Sequence, residues 1–117
     1  MSRPEVLTAI LPCNDLDASE AFYARLGFTH RAGEDGYRML SNGRGGELHL
    51  QGAVEGWLIP GRNPFGLYLY VEDVDGLASA MGARAEDKPW GMYEFAVSDP
   101  DETLVRVGWP TRLRAAR

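Results

Sequence analysis

The stretch Ala9-Ile10-Leu11-Pro12-Cys13-Asn14-Asp15-Leu16-Asp17 returns in outline as Leu67-Tyr68-Leu69-Tyr70-Val71-Glu72-Asp73-Val74-Asp75, Asp73 standing 73 − 15 = 58 positions after Asp15. Each time an apolar, strand-like run leads into an acidic residue placed to cap a helix. A repeat of that length inside 117 residues leaves room for two units of one design and for little else. The chain is therefore read as a single domain, 1–117, built by duplication.

The first unit spans 5–51. Residues 5–11 read as a strand ending at Pro12. Asp17-Ala18-Ser19-Glu20 has the spacing of a capping box, and Phe22 and Leu26 share a helix face four residues apart. Gly27 stops that helix, because glycine enters the left-handed conformation without steric cost. Strands follow at 28–32, 37–41 and 47–51, divided by turns at 33–36 and 42–46. In the last of these, Glu47, His49 and Gln51 point one way and Leu48 and Leu50 the other.

Residues 52–64 carry Gly52, Gly56, Pro60, Gly61 and Pro64 and form the linker. Trp57, Leu58 and Ile59 within it are expected to pack down, Trp57 serving as an anchor. The second unit, 65–109, repeats strand and helix, with Leu77, Ala80 and Met81 on a shorter helix that stops at Gly82. It closes with a hairpin: a strand at 93–97, the turn Ser98-Asp99-Pro100-Asp101, and a return strand at 103–107. Trp109 anchors that strand, and 110–117 reads as a frayed tail. The fold class is α+β, two β-α-β-β-β modules forming a cupped mixed sheet.

A net charge of −5, 17 acidic against 12 basic residues, excludes a phosphate-backbone partner, since no Lys/Arg stripe exists. It suits a cationic small molecule. Cys13 is the only cysteine, so no intramolecular disulfide can form, and with no base beside it the thiol reads as idle. No apolar run reaches membrane-spanning length and no signal-peptide core opens the sequence, so no membrane partner and a cytoplasmic location are expected.

Residues 14–23 followed by Leu26-Gly27-Phe28, together with Ser98-Asp99-Pro100-Asp101, resemble the vicinal oxygen chelate superfamily of glyoxalases, extradiol dioxygenases, fosfomycin-modifying enzymes and bleomycin resistance proteins. The resemblance covers nearly the whole chain. Enzymes of that superfamily hold a divalent metal inside each cupped sheet, with ligands from the first and last strands of each half. The matching positions here are Thr8, Gly66 and Arg106, and only His49, with Glu47 two residues before it, could coordinate. A guanidinium repels a cation, so the metal centre reads as lost and no cofactor is expected.

Arg25-Leu26-Gly27-Phe28, Gly33-Glu34-Asp35-Gly36-Tyr37, Pro89-Trp90-Gly91 and Glu94-Phe95-Ala96 resemble the corresponding segments of the bleomycin resistance proteins. What that resemblance implies is a non-catalytic homodimer that sequesters a cationic drug in grooves at the dimer interface. An aromatic of the third strand and the Trp of the Pro-Trp-Gly segment would stack on its flat rings. Tyr37, which replaces a Phe, and Trp90 match those places. Tyr68 and Tyr70 face the cup and either line the groove or fill it. His49 is a sheet hydrogen-bonding residue or a ligand contact. Arg106 needs an acidic partner, Glu47 or Glu94, or an anionic group on a ligand. The expected function is antibiotic binding and sequestration. The alternative is a metal-dependent lyase, transferase or dioxygenase with a degenerate site at His49 and Glu47.

Overall fold

The computed structural model describes residues 5–114. Strand β1 (Ala9–Cys13) leads into helix α1 (Leu16–Arg25), and β2 (Thr29–Glu34), β3 (Tyr37–Ser41) and β4 (Glu47–Gly52) complete the first module. The second holds β5 (Gly66–Tyr70), α2 (Val74–Ala80), β6 (Glu86–Asp87), β7 (Met92–Ser98) and β8 (Leu104–Pro110). Each module makes its own four-stranded mixed sheet, in the orders β1-β4-β3-β2 and β5-β8-β7-β6. The first strand of each runs parallel to the last of its module, and the remaining pairs are antiparallel.

The repeat foresees the helix starts better than the capping box does. Asp15 caps α1 and accepts from the backbone N–H of Ala18. Asp73 caps α2 and accepts from Gly76. The box at Asp17 is thus set two residues late, and Asp17 lies in the first turn, where a carboxylate complements the helix dipole. Gly27 and Gly82 follow the two helices with φ of 96° and 64°, as the stop signals require.

Strand β1 begins later than expected and runs through Pro12. It is an edge strand, and only an edge tolerates a residue that cannot donate to a second neighbour. The face of α1 also differs: Ser19, Tyr23 and Leu26 are buried, whereas Phe22 is only partly covered. One core unites the modules through Leu11, Tyr23, Leu26, Phe28, Leu40, Leu48 and Leu50 of the first and Val74, Ala78, Phe95, Val105 and Val107 of the second. Leu67 and Leu69 pack against it, so Tyr68 and Tyr70 take the opposite face of their sheet.

Buried polar groups tie the turn between β7 and β8 to α1 and to Asn14 ahead of it. Tyr23 donates its hydroxyl to Asp99 Oδ2 at 2.8 Å, and Asp99 Oδ1 accepts from the backbone N–H groups of Asp101 and Thr103. Asp101 Oδ1 accepts from both the backbone and the side-chain nitrogen of Asn14. Cys13 is buried, and burial pushes its thiol up to about 11, which suits an inert group.

Two expectations are corrected. Trp57 is 82% exposed and anchors nothing; Leu58, one residue on, is the linker residue that packs down, and Ile59 too remains exposed. The chain past 109 is ordered as far as it is described: Pro110 closes β8, Thr111–Leu113 forms a 3-10 turn, and the Arg114 guanidinium lies 3.5 Å from the Tyr93 ring centroid. Residues 115–117, the rest of the expected tail, lie outside the described residues.

Candidate functional site

The residues singled out from the sequence gather into two groups, one on each sheet, on the face turned away from the helices. On the first sheet the Tyr37 hydroxyl and His49 Nδ1 are hydrogen-bonded at 2.6 Å, with the rings edge-on. Their strands β3 and β4 are antiparallel neighbours, and alternation puts the two side chains on one face. Glu47 lies on the same face but is engaged by Ser41, whose hydroxyl donates to it at 2.5 Å.

The second sheet carries the denser group, and Glu94 is its centre. Glu94 is 2% exposed. Its Oε1 accepts from Trp90 Nε1 and from the Tyr68 hydroxyl, each at 3.0 Å. Arg106 Nη1 stands 3.7 Å from the other oxygen, and its guanidinium carbon lies 5.9 Å from the Trp90 ring centroid. Of the two acids that could have partnered Arg106, Glu94 does so and Glu47 does not. Tyr70 packs its ring beside that of Tyr68, centroids 4.7 Å apart. Burial, followed by the hydrogen bond to Glu94, holds the Tyr68 hydroxyl well above its ordinary range, so it remains a donor.

The backbone makes room for this arrangement at Gly108. It lies opposite Tyr70 on β5 and Glu94 on β7. A Cβ there would collide with the Tyr68 hydroxyl and stand 2.7 Å from Glu94 Cβ and 2.8 Å from the Tyr93 carbonyl oxygen. Glycine in a central strand marks such a close approach. Nothing in the sequence pattern alone singled out Gly108, since the signal is a contact across three strands.

A cavity of about 540 Å³ opens between the modules, lined by Tyr23, Leu26 and Phe28 on one side and by Tyr68, Tyr70 and Val105 on the other. It takes in Glu47, Tyr68 and Tyr70, while Trp90, Tyr37, His49, Glu94 and Arg106 lie outside its lining. A second hollow of about 280 Å³ is almost wholly apolar and lies under Trp57 and Phe65.

The donor set does not fit a divalent metal. Among the described residues no three His, Cys, Asp or Glu side chains are grouped to hold an ion. His49 and Glu47 are turned to Tyr37 and Ser41, and Arg106 occupies the third place. No helix of the described residues is long and apolar enough to cross a membrane.

Two βαβββ modules, each a mixed sheet with a helix on one face and polar and aromatic side chains on the other, define the glyoxalase/bleomycin-resistance architecture. Solved structures agree. The chain is similar to a bleomycin-binding protein crystallised with bleomycin, at 26% identity and a TM-score of 0.78, covering 92% of this chain and 98% of that one. It is similar to a bleomycin resistance determinant encoded on transposon Tn5, at 27% identity and a TM-score of 0.79, with the same coverage. A lactoylglutathione lyase from Agrobacterium tumefaciens shares the fold at 24% identity and a TM-score of 0.69, covering 97% of this chain and 98% of that one. No protein-family model and no curated protein sequence matches the chain. By its fold and these likenesses the chain belongs to the vicinal oxygen chelate superfamily.

Proposed function

We propose that the protein binds and sequesters a planar aromatic small molecule, an antibiotic of the kind its bleomycin-binding neighbours hold, without converting it. It would work as a homodimer in the cytoplasm, with the ligand stacked on Trp90 and flanked by Tyr68, Tyr70 and the Tyr37–His49 pair. The observation that carries this reading is the state of Trp90. The residue is 59% exposed, yet its Nε1 is pinned to the buried Glu94. A flat apolar face shown to solvent and held still has already given up the freedom that binding would cost. The charge of −5 favours a ligand that is cationic overall. Sequestration needs affinity alone, because protection follows from mass action.

The test is fluorescence titration of the native protein and Trp90→Ala with metal-free bleomycin. Saturable binding is expected, weakened about three- to tenfold in the variant, the range that one aromatic pair supplies. Equal affinity removes Trp90 from the site. Elemental analysis of protein purified without chelator addresses the metal-dependent lyase, transferase or dioxygenase reading, which stoichiometric Ni, Zn, Fe or Mn would favour.

A further inference from the structure

We infer that the groove on the second sheet recognises an oxyanion, a carboxylate or sulfonate, on the flat ring it takes up, and that Arg106 is the residue that reads it. The inference rests on the stacking role proposed for Trp90 and adds the chemistry of the ligand's substituent.

Arg106 is an unusual residue to find mid-strand between Val105 and Val107, both buried in the core. Its own side chain goes to the opposite face and is 43% exposed. A guanidinium has five N–H donors. Among the described residues its ion-pair partner is Glu94, and at 3.7 Å the contact is too long to be a hydrogen bond. Glu94 has committed Oε1 to Trp90 and Tyr68. The carboxylate therefore fixes the position of the guanidinium without using up its donors. Across from Arg106 stand Tyr68 on β5 and Ala96 on β7, and neither offers a competing acid.

The charge on view in this part of the groove is accordingly positive, although the whole molecule is negative. Glu94 is buried beneath it, and what reaches solvent is Arg106, its guanidinium carbon over the ring of the exposed Trp90 at 5.9 Å from the centroid. A ring lying on that indole brings a substituent at its edge to the guanidinium. An oxyanion satisfies the fork of donors, whereas an ammonium in that place is repelled. Attraction of a cationic ligand at long range and recognition of one anionic group at short range are separate requirements, and a zwitterionic aromatic meets both.

Three matched probes test this by isothermal titration calorimetry on the full-length protein: 2-naphthoate, 2-naphthamide and 2-naphthylmethylammonium. Naphthoate is expected to bind about tenfold more tightly than the amide, the scale of one charge-assisted contact. In Arg106→Gln the ratio is expected to fall to about one, and Arg106→Lys to restore part of it. Circular dichroism establishes that both variants are folded. Equal affinity for naphthoate and the amide in the native protein, or a preference for the ammonium, overturns the inference and leaves the stacking role of Trp90 standing. A preference for naphthoate that survives Arg106→Gln also overturns it. If none of the three binds saturably, or if Trp90→Ala leaves all three affinities unchanged, the stacking reading falls and this inference with it.

Discussion

Trp90 Nε1 and Glu94 Oε1 are joined by a 3.0 Å hydrogen bond that crosses from the loop before β7 into the strand itself. The same oxygen takes the Tyr68 hydroxyl, so one buried carboxylate holds side chains from two strands and a loop. Glu94→Gln keeps an acceptor for both donors and loses the charge that faces Arg106. Glu94→Leu loses all three contacts. We expect the Gln variant to keep Trp90 immobile by fluorescence anisotropy, and the Leu variant to free it and lose about 1–3 kcal/mol in urea denaturation. An indole equally rigid in both variants would show that Glu94 does not position it.

Gly108→Ala should be worse than a single added methyl suggests. The new Cβ would meet Glu94 Cβ and a backbone carbonyl oxygen as well as the end of the Tyr68 side chain. Backbone in a central strand yields little, so a loss of about 1–3 kcal/mol is expected, together with the Tyr68–Glu94 bond. Urea midpoints give the first quantity, and a shift in the tyrosine absorbance titration reports the second. A variant as stable as the native protein would refute the close packing described for this strand.

Alkaline pH should unfold the protein early. Burial, followed by the charge of Asp99, holds the Tyr23 hydroxyl well above the usual tyrosine range. Tyr68 is shifted the same way, and the Cys13 thiol rises from 9.0 to about 11. In each case the folded state keeps its proton to higher pH than the unfolded chain does. The stability these groups contribute is complete below the ordinary thiol value and is lost as pH climbs through 9 to 11 and beyond. Tyr23→Phe should cost about 1.5–3 kcal/mol at neutral pH, the worth of a hydrogen bond to a charged group. It should also flatten the alkaline fall, as urea midpoints against pH will show. A fall equally steep in the variant would mean that Tyr23 does not drive it.

The tryptophans should separate cleanly. Trp57 stands in solvent, so Trp57→Ala is expected to change stability by no more than about 0.5 kcal/mol. Trp109 is partly buried against the core, and its replacement by Ala should cost about 2 kcal/mol or more. Acrylamide quenching of single-tryptophan variants provides a second measurement. Comparable losses at both positions would contradict the burial described here.

Much of this fold could be read in the residues, because local chemistry and the duplication pointed the same way. The β3 strand begins and ends where the turn residues around it dictate. The helix starts at Asp15 and Asp73 follow from comparing the two halves, while a motif read in one half alone misplaced the first cap. Trp57 misled because an apolar triplet in a linker need bury only one of its members, and Leu58 suffices. At the site, alternation foretold which strand residues share a face, and the chemistry of a lone arginine foretold an acidic partner. The choice of Glu94 over Glu47, the role of Gly108 and the burial of Tyr23 depend on contacts between distant segments, which no spacing rule encodes.

The bonds from Asn14 and Tyr23 to Asp101 and Asp99 bear on how the molecule is made. They join residues 87 and 76 positions apart, so the entrance and the inner face of α1 find carboxylate acceptors in the final hairpin, and Asn14 finds a further acceptor in the linker at the Leu58 carbonyl. A nascent chain that has emerged only as far as its first module has those donors unmet, although α1 already lies on its own sheet against β4 and β2. A fragment ending at Gly52 should accordingly protect its α1 amides less well in hydrogen exchange than the whole chain does. The turn of the final hairpin, made long after α1, is the one that locks that helix in place.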